Sequence, residues 1–287
     1  MTEALQTAIE PQIAQQNTRV NKPRARKPFK LPFRFLIRVS SILFCVAIWQ
    51  LASTYKLDFG IVTFKNVPAP TEVFASAVAL AQSPKLLSHL TLSIYRVLAG
   101  YLIAAAIGVL LGLILGRWRI FRDVFLPPLE ILRPIPAVAW IPLSILMFPS
   151  SEASMIYITF LGALFPILLS TIHGVESVDA RLIASAQSLG AGRYAIMREV
   201  ILPGALPGIF NGLAIGMGTS WFCLVTAEMI SGQFGIGYYT WEAYTLQNYA
   251  DIVVGMIIIG VLGMTSSFAV SKLGVLIAPW RQPNPSN

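Results

Sequence analysis

Charge is what this chain has least of. Only 12% of its 287 residues are Asp, Glu, Lys or Arg, against 55% hydrophobic. A water-soluble core does not absorb that much apolar surface, so a soluble all-helical domain fits poorly. Cysteine is scarce too: Cys45 and Cys223 are the two present, each inside an apolar run. That argues against a disulfide framework or a metal cluster and leaves both as small packing residues. His89 and His173 have no neighbours at metal-ligand spacing, so no chemistry is assigned to them. No Gly-x-x-x-x-Gly-Lys-Ser/Thr phosphate loop occurs. Acids are missing from 200–227 and from every position after Asp251, where a self-sufficient secondary carrier would keep midplane carboxylates. No long internal repeat is visible either, which also counts against an inverted-repeat carrier.

What charge there is has a pattern. The net charge of +8 is concentrated at one end, with eight of 21 basic residues before position 40, and no Lys or Arg occurs between Arg198 and Lys272. That asymmetry suits membrane topology better than a nucleic-acid surface. Residues 1–33 are polar, basic and Pro-containing and read as a flexible cytoplasmic tail; 281–287 form a second short tail.

Between them the fold class is all-α: a polytopic membrane protein with six spans, near 35–55, 92–116, 125–148, 154–174, 205–227 and 252–278. Arg117, Arg119 and Arg122, then Arg181, Arg193 and Arg198, then Lys272 and Arg281 fall on one side with both termini, which the positive-inside rule makes the cytoplasm. The connection 56–91 carries three lysines on the opposite side and runs against that rule. The stretch from Glu228 to Asp251, rich in Tyr and Trp, suits the opposite interface.

Two spans carry distinctive patterns. Ala104, Gly108, Gly112 and Gly116 form a small-residue stripe suited to close helix packing. Pro127, Pro128, Pro134, Pro136 and Pro142 break the third span, either at the solute pathway or as a structural kink. Arg133, about two turns into that span, either offers paired donors to a planar oxyanion or pairs with Glu130. Asn211, Thr219 and Ser220 either line a polar path or bond between helices. Arg96 reads as an interfacial anchor or an anion attractor, and Glu228 as a gate brace or hydrogen-bonding group.

The most informative stretch is the loop 174–204. Asp179 suits a helix N-cap, Leu182, Ile183, Ala186 and Leu189 recur at helical spacing, and Gly190 and Gly192 permit a reversal before a second short helix ending at Pro203. Here the chain resembles the integral membrane subunits of ABC importers, whose loop pattern it matches at Ala184, Ser185, Ala186, Leu189, Gly190, Val200, Leu202 and Pro203. It departs at Ala184, where the pattern has Glu, at Ser185 for Ala and at Val200 for Ile. Val67-Pro-Ala-Pro-Thr-Glu-Val, Arg96-Val-Leu-Ala-Gly-Tyr, Arg133-Pro-Ile-Pro-Ala-Val-Ala-Trp140-Ile-Pro and Ala227-Glu-Met-Ile are similar to the nitrate, sulfonate and taurine branch, most of all to cyanobacterial nitrate/nitrite permeases.

That resemblance implies a pore-forming subunit that is not itself an enzyme, importing nitrate or nitrite, or else bicarbonate, cyanate or a sulfonate such as taurine. It implies a multi-pass inner-membrane location among lipid, a second permease copy, two cytoplasmic ATP-binding subunits and an extracytoplasmic solute-binding protein. No nucleic acid is expected, and no metal or cofactor in this chain; ATP and Mg belong to the partner subunits.

Overall fold

The computed structural model describes residues 33–61 and 63–280. The tails expected over 1–33 and 281–287 lie outside the described residues, apart from Phe33. The first helix, α1 (Phe33–Thr54), is apolar and has no acid in its first turn or base in its last. The chain divides within it: residues to Ile48 form one unit, and the body begins at Trp49.

The body contains α2 (Pro70–Ala81), α3 (Pro84–Arg117), α4 (Arg119–Leu132), a 3-10 turn (Ala137–Trp140) and α5 (Ile141–Met147). There follow α6 (Ser151–Glu176), α7 (Ala180–Ser188), α8 (Arg193–Ile196), a π turn (Met197–Ile201), α9 (Leu202–Ser231), α10 (Ile236–Thr245) and α11 (Tyr249–Ile277). Helix starts are set by local chemistry. Ser83 caps α3 by accepting from the Lys85 N–H at 3.3 Å, with Pro84 at the first helical position. That cap moves the second span's start from the expected 92 to 84, because a helix begins where its N–H groups are satisfied, not where hydropathy rises.

Glycine stripes set the packing. Along α3, methyls placed on Gly108, Gly112 and Gly116 would run into Ile167, Thr171 and Val175 in turn, so α3 lies parallel to α6 in close contact. Across the other face of α6, a methyl on Gly208 would come within 2.6 Å of the Gly174 Cα, and one on Gly162 would meet the Cys223 sulfur, so α9 runs antiparallel to α6. The core is this sandwich: Val97, Tyr101 and Ala104 of α3, Ile158, Ala163 and Ile167 of α6, and Met217, Trp221 and Leu224 of α9. On its outer side, α11 runs antiparallel to α9, with Gly274 against Phe210 and Gly263 beside Trp221.

Among the described residues five helices are long and apolar enough to cross a membrane, and α4 with the 3-10 turn and α5 adds a sixth candidate bent by 80°. The parallel course of α3 and α6 decides its nature: the chain between their successive ends has to travel back through the full thickness. The bent pair is therefore a complete, broken crossing, as the five prolines lead one to expect.

Candidate functional site

Three places in the body gather the functional side chains. The first is a cavity of about 310 Å³ at the elbow between α4 and α5, walled by Arg133, Ile135, Pro136, Val138 and Trp140 together with Tyr157, Leu161, Phe165, Thr219, Phe222 and Cys223. Gly162 and Thr219 lie near the middles of α6 and α9, which puts the cavity at mid-depth. Pro134 and Pro136 create it: the α4 ladder ends with the Arg133 N–H bonded to the Leu129 carbonyl at 3.0 Å, and the chain turns before Ala137. Arg133 is the one charged residue on the wall.

Arg133 is exposed and has no carboxylate partner among the described residues. The Arg133–Glu130 pair considered from the sequence does not form: Glu130 ends on the exposed side of α4, while Arg133 stands where the helix stops. Thr219 lines the cavity, but its hydroxyl donates to the Gly216 carbonyl at 3.0 Å, so it offers lone pairs there. The free donors are Arg133, the Trp140 indole and the Tyr157 phenol; among the described residues none of the three donates to a protein group. Asn211 is exposed on α9 away from this wall. Ser220 is fully buried on α9, off the cavity wall, and its hydroxyl has no hydrogen-bond partner among the described residues, so it forms no interhelical bond there.

The second place lies at the end of the sandwich where α6 gives way to α7. The Asp179 side chain caps α7, accepting from the Arg181 N–H at 2.8 Å. Gly190, at φ +80°, ends it: its N–H reaches the Gln187 carbonyl at 2.9 Å and the Ala191 N–H reaches Ala186 at 3.0 Å. A left-handed residue closing two such bonds is a Schellman cap, and glycine takes that conformation without strain. Ile183 and Ala186 pack inward against Ile196, Ile201 and Ala205. Leu182 and Leu189 point outward, Leu189 being 89% exposed, as do Ala184 and Ser185. The four residues that shared one helical face in the sequence thus divide into two anchors and two exposed apolar tips. Arg122 of α4 pairs with Glu176 at the same end.

Pro203 does not end a helix here. The backbone stays helical from Arg193 to Ser231, and the wide π turn Met197–Ile201, which includes Val200, precedes Leu202 and Pro203. A wide turn makes room for the proline ring that would strike the carbonyl four residues back in a regular helix.

The third place is the opposite end, and it is dry. Arg96 is 2% exposed and Glu228 fully buried, with Arg96 Nη1 donating to Glu228 Oε1 at 2.8 Å. The same Nη1 donates to the Phe234 carbonyl at 2.6 Å, and Nε donates to Glu152 Oε2 at 2.8 Å. Ser93 donates to Glu228 and accepts the Ile236 N–H at 2.9 Å, and Glu228 Oε2 accepts the Gly237 N–H at 2.9 Å. His89 Nδ1 accepts the Gly235 N–H at 3.0 Å. Arg96 is therefore neither an interfacial anchor nor an anion attractor: its donors are engaged inside the protein. Glu228 is a brace, holding the turn into α10 against α3. His89, Ser93 and Glu152 were missed from the sequence, although polar residues at 89, 93 and 96 share one face of an otherwise apolar helix. Beyond the spans, burial and then the nearby Asp251 carboxylate hold the Tyr239 phenol well above its usual range, so α10 presents it as a neutral hydroxyl.

Comparison with known proteins agrees with this architecture. The family model for the binding-protein-dependent transport system inner membrane component matches residues 104–282. The chain belongs to that family. It is thus the membrane permease subunit of an ABC importer, multi-pass in the inner membrane and not catalytic itself. Relatives include a permease of Bacillus subtilis named for aliphatic sulfonates transport, SsuC, 34% identical over 82% of this chain and 84% of its own. The nitrate import permease protein NrtB of Synechocystis is 31% identical, covering 76% and 82%. The taurine transport system permease protein TauC of Escherichia coli is 28% identical, covering 92% and 96%. Among solved structures, the inward-facing MetNI methionine ABC transporter shares the fold with a TM-score of 0.53 at 21% identity, over 68% of this chain and 99% of that one.

Proposed function

We propose that this permease carries a small oxyanion through the mid-depth cavity, and the observation that carries the reading is Arg133 as that cavity's one charged wall residue. A guanidinium with the Trp140 and Tyr157 donors beside it offers a planar or tetrahedral oxyanion several charge-assisted bonds. Most of the remaining wall is hydrocarbon: Ile135, Pro136, Val138, Leu161, Phe165 and Phe222. A cargo with an oxyanion head and a short apolar body, an aliphatic sulfonate, matches both parts. Bare nitrate or nitrite is the second reading, supported by likeness to NrtB; it would leave apolar walls wet and part of its own hydration unreplaced.

In this reading the loop end is cytoplasmic, with both termini on that side. Leu182, Ala184, Ser185 and Leu189 seat in a groove on each of two ATPase subunits, which bind ATP and Mg and supply the energy. A second copy of this chain completes the pathway, and an extracytoplasmic solute-binding protein delivers cargo to the opposite end.

The test is uptake by the reconstituted complex of ethanesulfonate and nitrate, alone and in competition, with wild-type and Arg133→Gln permease. The variant is expected to lose at least ten-fold in uptake while basal ATP hydrolysis stays near wild type. Unchanged uptake of both anions defeats the Arg133 reading; nitrate transported with no competition from ethanesulfonate defeats the sulfonate assignment alone.

A further inference from the structure

A second, larger cavity of about 480 Å³ lies at the braced end, apart from the mid-depth site. It is an open cleft bordered by the end of α1, the connection 56–68, the start of α2 and the chain entering α11. Its walls differ in kind from those of the first cavity: Lys56, Lys65, Asn66, Glu72, Gln247, Asn248 and Asp251 line it, with Ser53 at its base.

The charges sort by wall. Lys56 and Lys65 belong to the 55–67 connection, which is tied back on itself by the Phe64 N–H to the Leu57 carbonyl at 2.9 Å and by Lys65 to Asp58 at 3.1 Å. The Gly60 N–H and then Lys65 hold the Asp58 carboxyl below its usual range. Glu72 and Asp251 belong to the first turns of α2 and α11, each with one oxygen engaged: Glu72 Oε2 accepts the Ala69 N–H at 3.1 Å, and Asp251 Oδ1 accepts from Ser76. Among the described residues no ion pair joins the two walls, and Lys56 has no carboxylate partner. Opposite charges that line one chamber without touching leave a gap suited to a molecule that carries both signs.

An independent observation points the same way. Ser53 is 6% exposed and borders the cavity, and among the described residues its buried hydroxyl has no hydrogen-bond partner. A buried hydroxyl without a partner is unfavourable unless something in the adjoining space bonds to it.

We propose that this chamber binds a small zwitterion, its oxyanion toward Lys56, Lys65 and Ser53 and its ammonium toward Glu72 and Asp251. Such a group is presented both by the ethanolamine-phosphate headgroup of a lipid and by a free solute. The site stands apart from the mid-depth cavity, and neither assignment depends on the other.

Calorimetric titration of the assembled transporter with phosphoethanolamine tests it, with inorganic phosphate and ethylamine as single-charge controls. Saturable binding of phosphoethanolamine is expected, at least ten-fold tighter than either control, with Lys56→Gln weakening it at least ten-fold and Ser53→Ala by a smaller factor. Both variants are at sites whose side chains bond to nothing in the protein, so normal thermal unfolding checks their integrity. No saturable binding, equal binding of phosphate alone, or wild-type affinity in Lys56→Gln overturns the proposal. Repeating the titration in nanodiscs separates the sources: phosphatidylethanolamine discs depress the apparent affinity relative to phosphatidylglycerol discs if the headgroup occupies the chamber, and equal affinity in both identifies the occupant as a free solute.

Discussion

Arg96 and Glu228 stand 132 positions apart in the chain and meet at 2.8 Å in a fully dry setting. The pair ties α3 to the end of α9, and through Ser93, Phe234 and Gly237 it also fixes the turn into α10. Removing Arg96 strands the Glu228 carboxylate away from water, whereas removing Glu228 leaves Arg96 its pairing with Glu152.

Arg96→Gln should destabilise the permease strongly, by about 3–5 kcal/mol, because Glu228 is left buried without its cation; Glu228→Gln should cost less, because Arg96 keeps its pairing with Glu152. The double variant should recover part of that loss. Thermal unfolding of the purified protein in detergent, analysed as a double-mutant cycle, measures the coupling; strictly additive losses would show that the pair is not one unit.

The α3 stripe gives a matched contrast. A methyl on Gly112 would stand 2.5 Å from Thr171 Cβ and 3.0 Å from the Leu168 carbonyl, whereas one on Gly260 of α11 would meet nothing within 4 Å. Gly112→Ala should therefore cost about 1–3 kcal/mol by overpacking. Gly260→Ala should be neutral, or gain up to about 1 kcal/mol from helix propensity. The same unfolding assay reads both.

At the elbow, Leu189→Glu should leave the unfolding temperature of the isolated permease unchanged, since Leu189 is 89% exposed, yet reduce co-purification with the ATPase subunits at least ten-fold. Retained co-purification would remove Leu189 from the docking surface.

Gly190→Ala separates shape from contact. At φ +80° any side chain is strained, so this change should destabilise the elbow by about 1 kcal/mol and lower cargo-stimulated ATP hydrolysis. Gly192→Ala, where a methyl meets nothing within 4 Å and φ is ordinary, should do neither. Stimulated hydrolysis rates of the two variants in the assembled complex are the measurement.

How much of this was legible beforehand differs by feature. The six crossings, the α3 stripe and the Gly190 reversal were readable because each rests on local rules: bilayer thickness, small side chains four apart, and glycine's freedom at positive φ. The Arg96–Glu228 brace was not, because a pairing across 132 positions leaves no local trace. Arg133 stood out in the sequence and stands on the cavity wall, but the Trp140, Tyr157 and Phe222 walls around it did not stand out, since aromatic residues are ordinary in membrane helices. Pro203 misled: the proline reads as a stop, and only the wide turn before it lets the helix continue.

That continuation has a mechanical consequence. From Arg193 to Ser231 the backbone is one rod of 39 residues, about 58 Å long at 1.5 Å per residue. Its lower tip rests beside the elbow and its upper tip ends in Glu228, so a tilt of about 5° pivoted at one tip sweeps the other through about 5 Å. A lever of that reach would carry a displacement at one face of the bilayer to the clasp at the other, with no intermediate relay.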